Sequence, residues 1–410
     1  ALLRRGGTEL LPADPFDERA DTLGARLDST SGLTRGGASL SAMAWELDEA
    51  LDLFFAMLAR PAFQPDRLAS AQRNLRESMQ RRNEDPRAIL EREWEWLTFG
   101  ERHFSTRPVT PASLAAIRRQ DLLSFHQRYW RPQQLIFAVS GDFRPQEMLA
   151  ALNRRLAAWP ESPPENPLES RWPPSAPSSR ARPGLYHVEE DVPQAKVALG
   201  HRAVETPGWL DPDRFVLQVV NEVLGGSGAI SRVAGRLRTV EGLVYRASAR
   251  YELGDLWPGD FQIFFATESR NSGRAVALAL EELQRLRSRS VHPKELEVAK
   301  RTLLGNLRLA FDTAEEIAGT FAEDELLGRP HAYWEAYREG IQRVSREDVL
   351  RVARTHILPE DFVFLVVGRW QEISGGAEPG ASALERATGH RVTHLPNRDP
   401  LTLRPLTGSD

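Results

Sequence analysis

The sequence predicts an α+β chain made of two homologous mixed α/β domains joined by a proline-rich linker. Three observations predict it. First, residues 117–143 (IRRQDLLSFHQRYWRPQQLIFAVSGDF) match residues 344–370 (VSREDVLRVARTHILPEDFVFLVVGRW) without a gap. Arg119 pairs with Arg346, Asp121 with Asp348, Leu123 with Leu350, Pro132 with Pro359, Phe137 with Phe364, Val139 with Val366 and Gly141 with Gly368. With one residue of drift, Pro65, Leu68 and Ala71 align with Pro293, Leu296 and Ala299. A repeat of this length means two copies of one unit. Second, residues 159–183 hold eight prolines. Proline fixes φ and lacks an N–H, so this stretch is neither helix nor inner strand. Third, helical and strand periodicities alternate in both halves. The expected division is a first domain at 1–158, a linker at 159–183, a second domain at 184–372 and a tail at 373–410.

In chain order, residues 1–8 read as the end of a helix, and a leading segment is expected before them. Residues 23–28 close a helix and enter a strand, and 32–44 are strand-like. Residues 48–58 are amphipathic, with Ala50, Leu51, Phe54, Phe55 and Leu58 in phase. A break at 61–65 precedes a long charged helix at 66–82. Asp85-Pro86 starts another helix, which runs through Trp94 and Trp96 to Gly100. Residues 111–129 read as helix, and 135–139 as a buried strand ending at Gly141. The tail is rich in Gly, Pro, Ala and Ser, with a short extended piece at 391–395.

The 410 residues exceed one ordinary core. A hydrophobic fraction of 41% and a charged fraction of 27% describe a soluble globular chain. The net charge of −4 gives no basic footprint for nucleic acid. There is no cysteine, hence no disulfide and no thiolate metal site. No apolar run approaches the ~18 residues of a membrane span. No P-loop, Gly-x-Gly-x-x-Gly or Gly-x-Ser-x-Gly pattern occurs in its proper frame.

Residues 211–251 (DPDRFVLQVVNEVLGGSGAISRVAGRLRTVEGLVYRASARY) organise the second half. Asp211 is a good N-cap and Pro212 suits the first helical position. Phe215, Val216, Val219, Val220 and Val223 recur at helical spacing, and Gly225-Gly226 are expected to stop the helix as left-handed caps. A second helix carries Ile230, Val233, Ala234 and Leu237 on one stripe and ends at Glu241-Gly242. Leu243, Tyr245, Ala247, Ala249 and Tyr251 then alternate as a half-buried strand does. Arg238 and Tyr245 meet at the helix–strand corner, where both can donate to one carbonyl oxygen, as holding a peptide requires. Spacing alone favours the plainer reading: Tyr245 in phase with an apolar face, and Arg238 on a solvated helix.

The run Gly225-Gly226-Ser227-Gly228, Ser231-Arg232 and Arg238-Thr239-Val240-Glu241-Gly242-Leu243-Val244-Tyr245 resembles the second-domain signature of the pitrilysin/insulinase family of inverted-zincin peptidases. The resemblance covers nearly all of residues 1–372. It implies that Arg238 and Tyr245 bind the substrate backbone beside a zinc site. Family enzymes hold that zinc through His-x-x-Glu-His and a later glutamate, and this sequence contains no His-x-x-Glu-His. The family register places the motif's second histidine at about Ala1 and the third ligand at about Glu77. Leu2 and Leu3 carry no donor atom, so Glu77 is a vestigial position and no metal ligand set is expected. His390 and His394 flank an extended Arg391-Val392-Thr393, which puts their side chains ~13 Å apart. They, His187 and His201 read as structural or surface residues.

The resemblance therefore implies the non-catalytic subunit of a heterodimeric zinc metallopeptidase, inactive alone, with no cofactor of its own. Its expected partner is a homologous subunit bearing His-x-x-Glu-His and the zinc, and its expected substrates are unfolded peptides. Two other readings stand beside it. One is a structural core-type subunit, as similar folds are in the respiratory bc1 complex. The other is a complete zinc peptidase whose metal helix precedes Ala1. Similar bacterial pairs are often exported in Gram-negative bacteria, which leans to the periplasm, with the cytoplasm as the alternative.

Overall fold

The computed structural model describes residues 2–160, 182–203, 205–226, 230–376 and 381–406. Its contacts divide the chain into two units: Ala1–Gln80 with Val109–Pro174, and Arg81–Pro108 with Ser175–Asp410. Most of the expected linker, residues 161–181, lies outside the described residues.

The first unit begins with α1 (Leu2–Arg5), α2 (Ala13–Thr22) and an antiparallel hairpin, β1 (Arg26–Ser31) and β2 (Gly36–Ser41). Then come α3 (Leu47–Ala59) and α4 (Pro65–Gln80). The apolar spacing of α3 does what it predicts: Ala50, Leu51, Phe54, Phe55 and Leu58 are buried. They form a core with Phe16, Leu27 and Met57. The chain next forms α5 (Pro86–Phe99), which belongs to the second unit. It returns to the first for α6 (Pro111–Ala116), α7 (Arg119–Tyr129) and α8 (Pro145–Ala157). The single helix expected at 111–129 is broken, because Ile117 is extended and Thr110 and Asp121 cap separate starts. From α8 the buried Arg155 reaches Asp48 at 2.8 Å and Asp52 at 2.6 Å on α3.

One expectation here is corrected. Residues 135–139 are not a buried strand. Among the described residues no strand pairs with them, and Ile136 and Val139 are exposed.

The second unit adds β3 (Gly184–Glu189), β4 (Gln194–Arg202), α9 (Pro212–Asn221), α10 (Arg232–Ala234), β5 (Val244–Tyr251) and β6 (Asp260–Glu268). Helices α11 (Ser272–Ser288), α12 (Pro293–Leu309), α13 (Ala314–Leu327), α14 (Tyr333–Arg343) and α15 (Arg346–His356) follow. The chain ends with β7 (Val363–Gly368), α16 (Trp370–Ser374), α17 (Ala383–Thr388) and β8 (Val392–Leu395). The sheet order is β5-β6-β4-β7-β3-β8. Strand β7 is buried at every residue, because it has neighbours on both edges and cover on both faces. On one face Phe364 and Val366 join the core with α9, α11 and α15. On the other, Val363, Leu365 and Val367 meet Ile89, Leu90 and Trp94 of α5.

Helix α5 lies with the second unit, whereas the sequence boundaries placed it in the first. Trp94 fixes it there: its indole Nε1–H donates to Asp260 Oδ2 at 2.7 Å, and both residues are buried. Burial pushes the Asp260 carboxyl above the usual carboxylate range. The described residues of the tail pack against the same unit. Strand β8 runs parallel to β3, and α17 carries a Ser382/Glu385 capping box. Arg398 donates to Glu93 at 3.0 Å and lies over the Trp96 ring at 4.3 Å.

Candidate functional site

Asp211 caps α9 by accepting from the Asp213 N–H at 2.8 Å, with Pro212 at the first helical position. The glycines that follow are not left-handed caps. They continue a π-helical turn, Glu222–Gly226, and neither has a positive φ. Their role is close approach. A Cβ at Gly225 would stand 2.2 Å from the Ala249 carbonyl oxygen and 2.4 Å from its nitrogen. A Cβ at Gly226 would stand 2.2 Å from Glu222 Oε2. Beside this contact, Asn221 clamps the same edge of β5. Its Nδ2 donates to Tyr251 O at 2.8 Å and its Oδ1 accepts from Tyr251 N at 2.6 Å. The edge strand is thereby covered from 249 to 251 by the end of α9.

Helix α10 runs into a second π-helical turn, Gly235–Val240, and Gly242 at φ +65° ends it. Val233, Ala234 and Leu237 are buried as the stripe predicts, but Ile230 is 75% exposed and lies off it. Three arginines on α10 and this turn differ in their partners. Arg232 grips Glu295 at 2.6 and 2.8 Å, and Arg236 pairs with Glu241 at 3.1 Å. Among the described residues, Arg238 has no carboxylate partner.

The decisive feature is a β-bulge. Val244 pairs with Thr267, but the next pair on β6 is Ala247 with Phe265. One extra residue is therefore inserted at Tyr245-Arg246, and a bulge of this kind re-aims side chains. Val244, Ala247, Ala249 and Tyr251 are buried, while Tyr245 is 83% exposed. The plain reading, in which Tyr245 lies in phase with an apolar face, is thus corrected. The Arg238 guanidinium sits 5.1 Å from the centre of the Tyr245 ring. Such stacking contributes roughly 0.5–1 kcal/mol at an exposed site and holds the pair together. Among the described residues nothing accepts from the Tyr245 hydroxyl. A phenol O–H and a planar guanidinium are therefore presented side by side to solvent, both as donors. The arrangement suits a peptide carbonyl or carboxylate oxygen.

The register position for a metal ligand is different. Glu77 is an exposed residue of α4. Leu3 is buried and Ala1 lies outside the described residues. Among the described residues no group of three His, Cys, Asp or Glu side chains is placed to hold a metal ion. One exposed carboxylate does not fit a zinc ion, which takes three or four donors.

The histidines serve the fold. His201 is buried; its Nδ1–H donates to Arg202 O at 2.8 Å, and its Nε2 accepts from Leu358 N at 3.2 Å. His187, also buried, donates from Nε2 to Gly368 O at 2.8 Å, so its Nδ1 accepts from His394 Nδ1 at 2.8 Å. Burial holds both His187 and His201 below the ordinary imidazole range. Sequence spacing could not show the His187–His394 contact, which arises only when β8 docks on β3.

With this geometry in view, comparison with known proteins is informative. Residues 116–303 match the peptidase M16 inactive domain. Over that stretch, just under half of its length, the chain resembles the M16 peptidase family. An uncharacterized zinc protease of Mycobacterium tuberculosis is 26% identical over 300 residues, covering 71% of this chain. The chain spans 65% of that relative's length, just under two thirds. Subunit 1 of the human mitochondrial cytochrome b-c1 complex is 22% identical over 228 residues, 53% of this chain and 44% of that protein. Among solved structures, the peptidase M16 inactive domain from Pseudomonas fluorescens superimposes with a TM-score of 0.77 at 21% identity. The match covers 90% of this chain and 86% of that one. At that identity the likeness speaks to the fold, which is the mixed α/β fold that the repeat and the Arg238–Tyr245 signature imply.

Proposed function

We propose that this chain is the non-catalytic, substrate-binding member of a heterodimeric zinc metallopeptidase. The observation that carries the reading is the bulge that turns Tyr245 outward beneath Arg238. A tyrosine needed only for the core would follow the alternation of its strand. This one is exposed, stacked by an arginine without a carboxylate partner among the described residues, and free to donate. The match to a domain described as inactive supports the same reading.

In this account Arg238 and Tyr245 hold a carbonyl of an extended, unfolded peptide. The zinc, and the hydrolysis it performs, belong to a homologous partner subunit bearing His-x-x-Glu-His. Donors that tighten as charge develops on a carbonyl oxygen contribute most, so losing one costs ~10²-fold or more in turnover. The test is to purify this chain alone and with its partner, then measure zinc content and cleavage of a flexible peptide. The reading expects zinc and activity only in the pair, with activity dependent on Tyr245. One bound zinc and full activity in this chain alone would refute it.

The relation to cytochrome b-c1 complex subunit 1 favours a second reading, a structural core-type subunit. It expects co-purification with cytochrome subunits and indifference to Tyr245→Phe.

A further inference from the structure

The bulge that turns Tyr245 outward acts on a second residue. Val244 and Ala247 both join the helix-side core, and on β6 only Ala266 lies between their partners Thr267 and Phe265. Tyr245 and Arg246 therefore stand together on the outer side of β5, and both are exposed. The outer face of the sheet is the one that carries α5. Its apolar cluster with Ile89, Leu90 and Trp94 draws on β3, β4 and β7, and β5 contributes no residue to it.

One row of side chains runs across this face from the bulge. Ala266, opposite the bulge, pairs with Lys196 of β4. Ala195 and Val197 belong to the helix-side core, so Lys196 also faces outward. Arg246 and Lys196 thus flank Ala266, two interstrand steps or about 10 Å apart at the backbone. Between them Ala266 raises only a methyl group. Among the described residues neither cation has a carboxylate partner, which sets both apart from their neighbours. Arg250 pairs with Glu252 at 2.8 Å, Arg270 with Glu268 at 2.7 Å and Arg87 with Glu91 at 2.7 Å. Glu268, the next outward residue of β6, is thereby already engaged.

We propose that Arg246 and Lys196 form a carboxylate subsite over Ala266, and that Arg246 determines specificity. The subsite takes an acidic side chain of the peptide whose carbonyl Arg238 and Tyr245 hold, and it rests on the peptide-binding reading for its ligand. The division of labour follows from the donors. A phenol is a neutral donor suited to a carbonyl, whereas a guanidinium is a planar fork that matches a carboxylate, and an ammonium adds a point charge behind it. A basic side chain at the same place in the peptide meets two like charges, and a neutral one forgoes both pairs.

Binding of short, flexible, fluorescently labelled peptides to the full chain, followed by anisotropy, tests this. The peptides are capped at both ends and differ at a single position, occupied by Glu, Gln or Lys. At low salt, two exposed charge pairs favour the Glu peptide over the Gln peptide by about 5-fold, and the Lys peptide binds most weakly. Arg246→Gln should lower that preference to ~2-fold or less, Arg246→Lys should keep most of it, and Arg308→Gln, an exposed change on α12, should keep all of it. Tyr245→Phe should weaken the Glu and Gln peptides alike and leave their ratio unchanged. Equal affinity for Glu and Gln peptides overturns the subsite, and the carbonyl-holding role then stands if Tyr245→Phe still weakens both. A preference that Arg308→Gln lowers as far as Arg246→Gln is a net-charge effect and also overturns it. So does a Gln peptide with a free C-terminal carboxylate that binds as tightly as the capped Glu peptide. An Arg246-dependent preference in a chain indifferent to Tyr245→Phe supports the subsite and refutes the carbonyl hold. No binding of any peptide up to ~1 mM overturns both.

Discussion

Replacing Gly225 by alanine tests the local architecture that presents Tyr245. The added Cβ would lie 2.2 Å from Ala249 O and 2.4 Å from Ala249 N, both backbone atoms. Ordinary contact needs well over 3 Å, so strand or helix must move by about 1 Å. Neither can do so freely. The adjoining Tyr251 is clamped by two hydrogen bonds from Asn221, each contributing ~1 kcal/mol. Overpacking of this kind costs ~1–3 kcal/mol by itself, and loss of the clamp brings the expected total to roughly 3–5 kcal/mol. For a unit of this size that lowers Tm by roughly 10 °C. Gly305, exposed within α12, is the contrasting position: a Cβ there would meet nothing within 4 Å. There alanine should stabilise by ~0.5–1 kcal/mol through helix propensity and a less flexible unfolded chain. Scanning calorimetry of the two variants checks the contrast. If Gly225→Ala melts within about 1 °C of the wild type, the close-approach argument fails.

Other consequences follow from the same geometry. Trp94→Phe removes the indole donor from the buried Asp260 carboxyl. It should cost ~1–3 kcal/mol in urea unfolding, and an unchanged midpoint would separate α5 from the stability of the second unit. His187 and His201 are held neutral by burial, below their ordinary range. A depressed pKa means that the stability is fully present above the unfolded value of about 6.5 and is lost as pH falls from there, at up to ~1.4 kcal/mol per pH unit per histidine. His201→Gln, which can keep both hydrogen bonds, should flatten the fall between pH 6.5 and 5. An identical slope in the variant would refute the assignment to His201.

Much of the fold was legible because its signals were local or repeated. Asp211-Pro212 opened α9, the phase of Phe54, Phe55 and Leu58 gave the buried face of α3, and the repeat paired β7 with residues 136–141. What was misread depends on neighbours. An apolar run such as Leu135–Val139 is a buried strand only when other strands flank it, and its own residues do not encode them. Helix α5 was assigned by chain position, yet the Trp94–Asp260 hydrogen bond and the apolar face of the sheet hold it in the other unit. Gly225 looked like a helix stop; its need for space comes from Ala249, a strand away. At the candidate site the residues were legible only through the family signature. Periodicity put Tyr245 on the buried face, because a one-residue bulge reverses the phase and leaves no mark in composition.

The measurement that bears most directly on the proposed function is turnover of a flexible peptide by the assembled pair carrying Tyr245→Phe. The phenyl ring keeps the stack beneath Arg238 and loses only the hydroxyl donor. The account expects the complex to assemble normally, with kcat lower by ~10²-fold or more. Turnover equal to the wild type in a fully assembled complex would contradict it and remove Arg238 and Tyr245 from the mechanism.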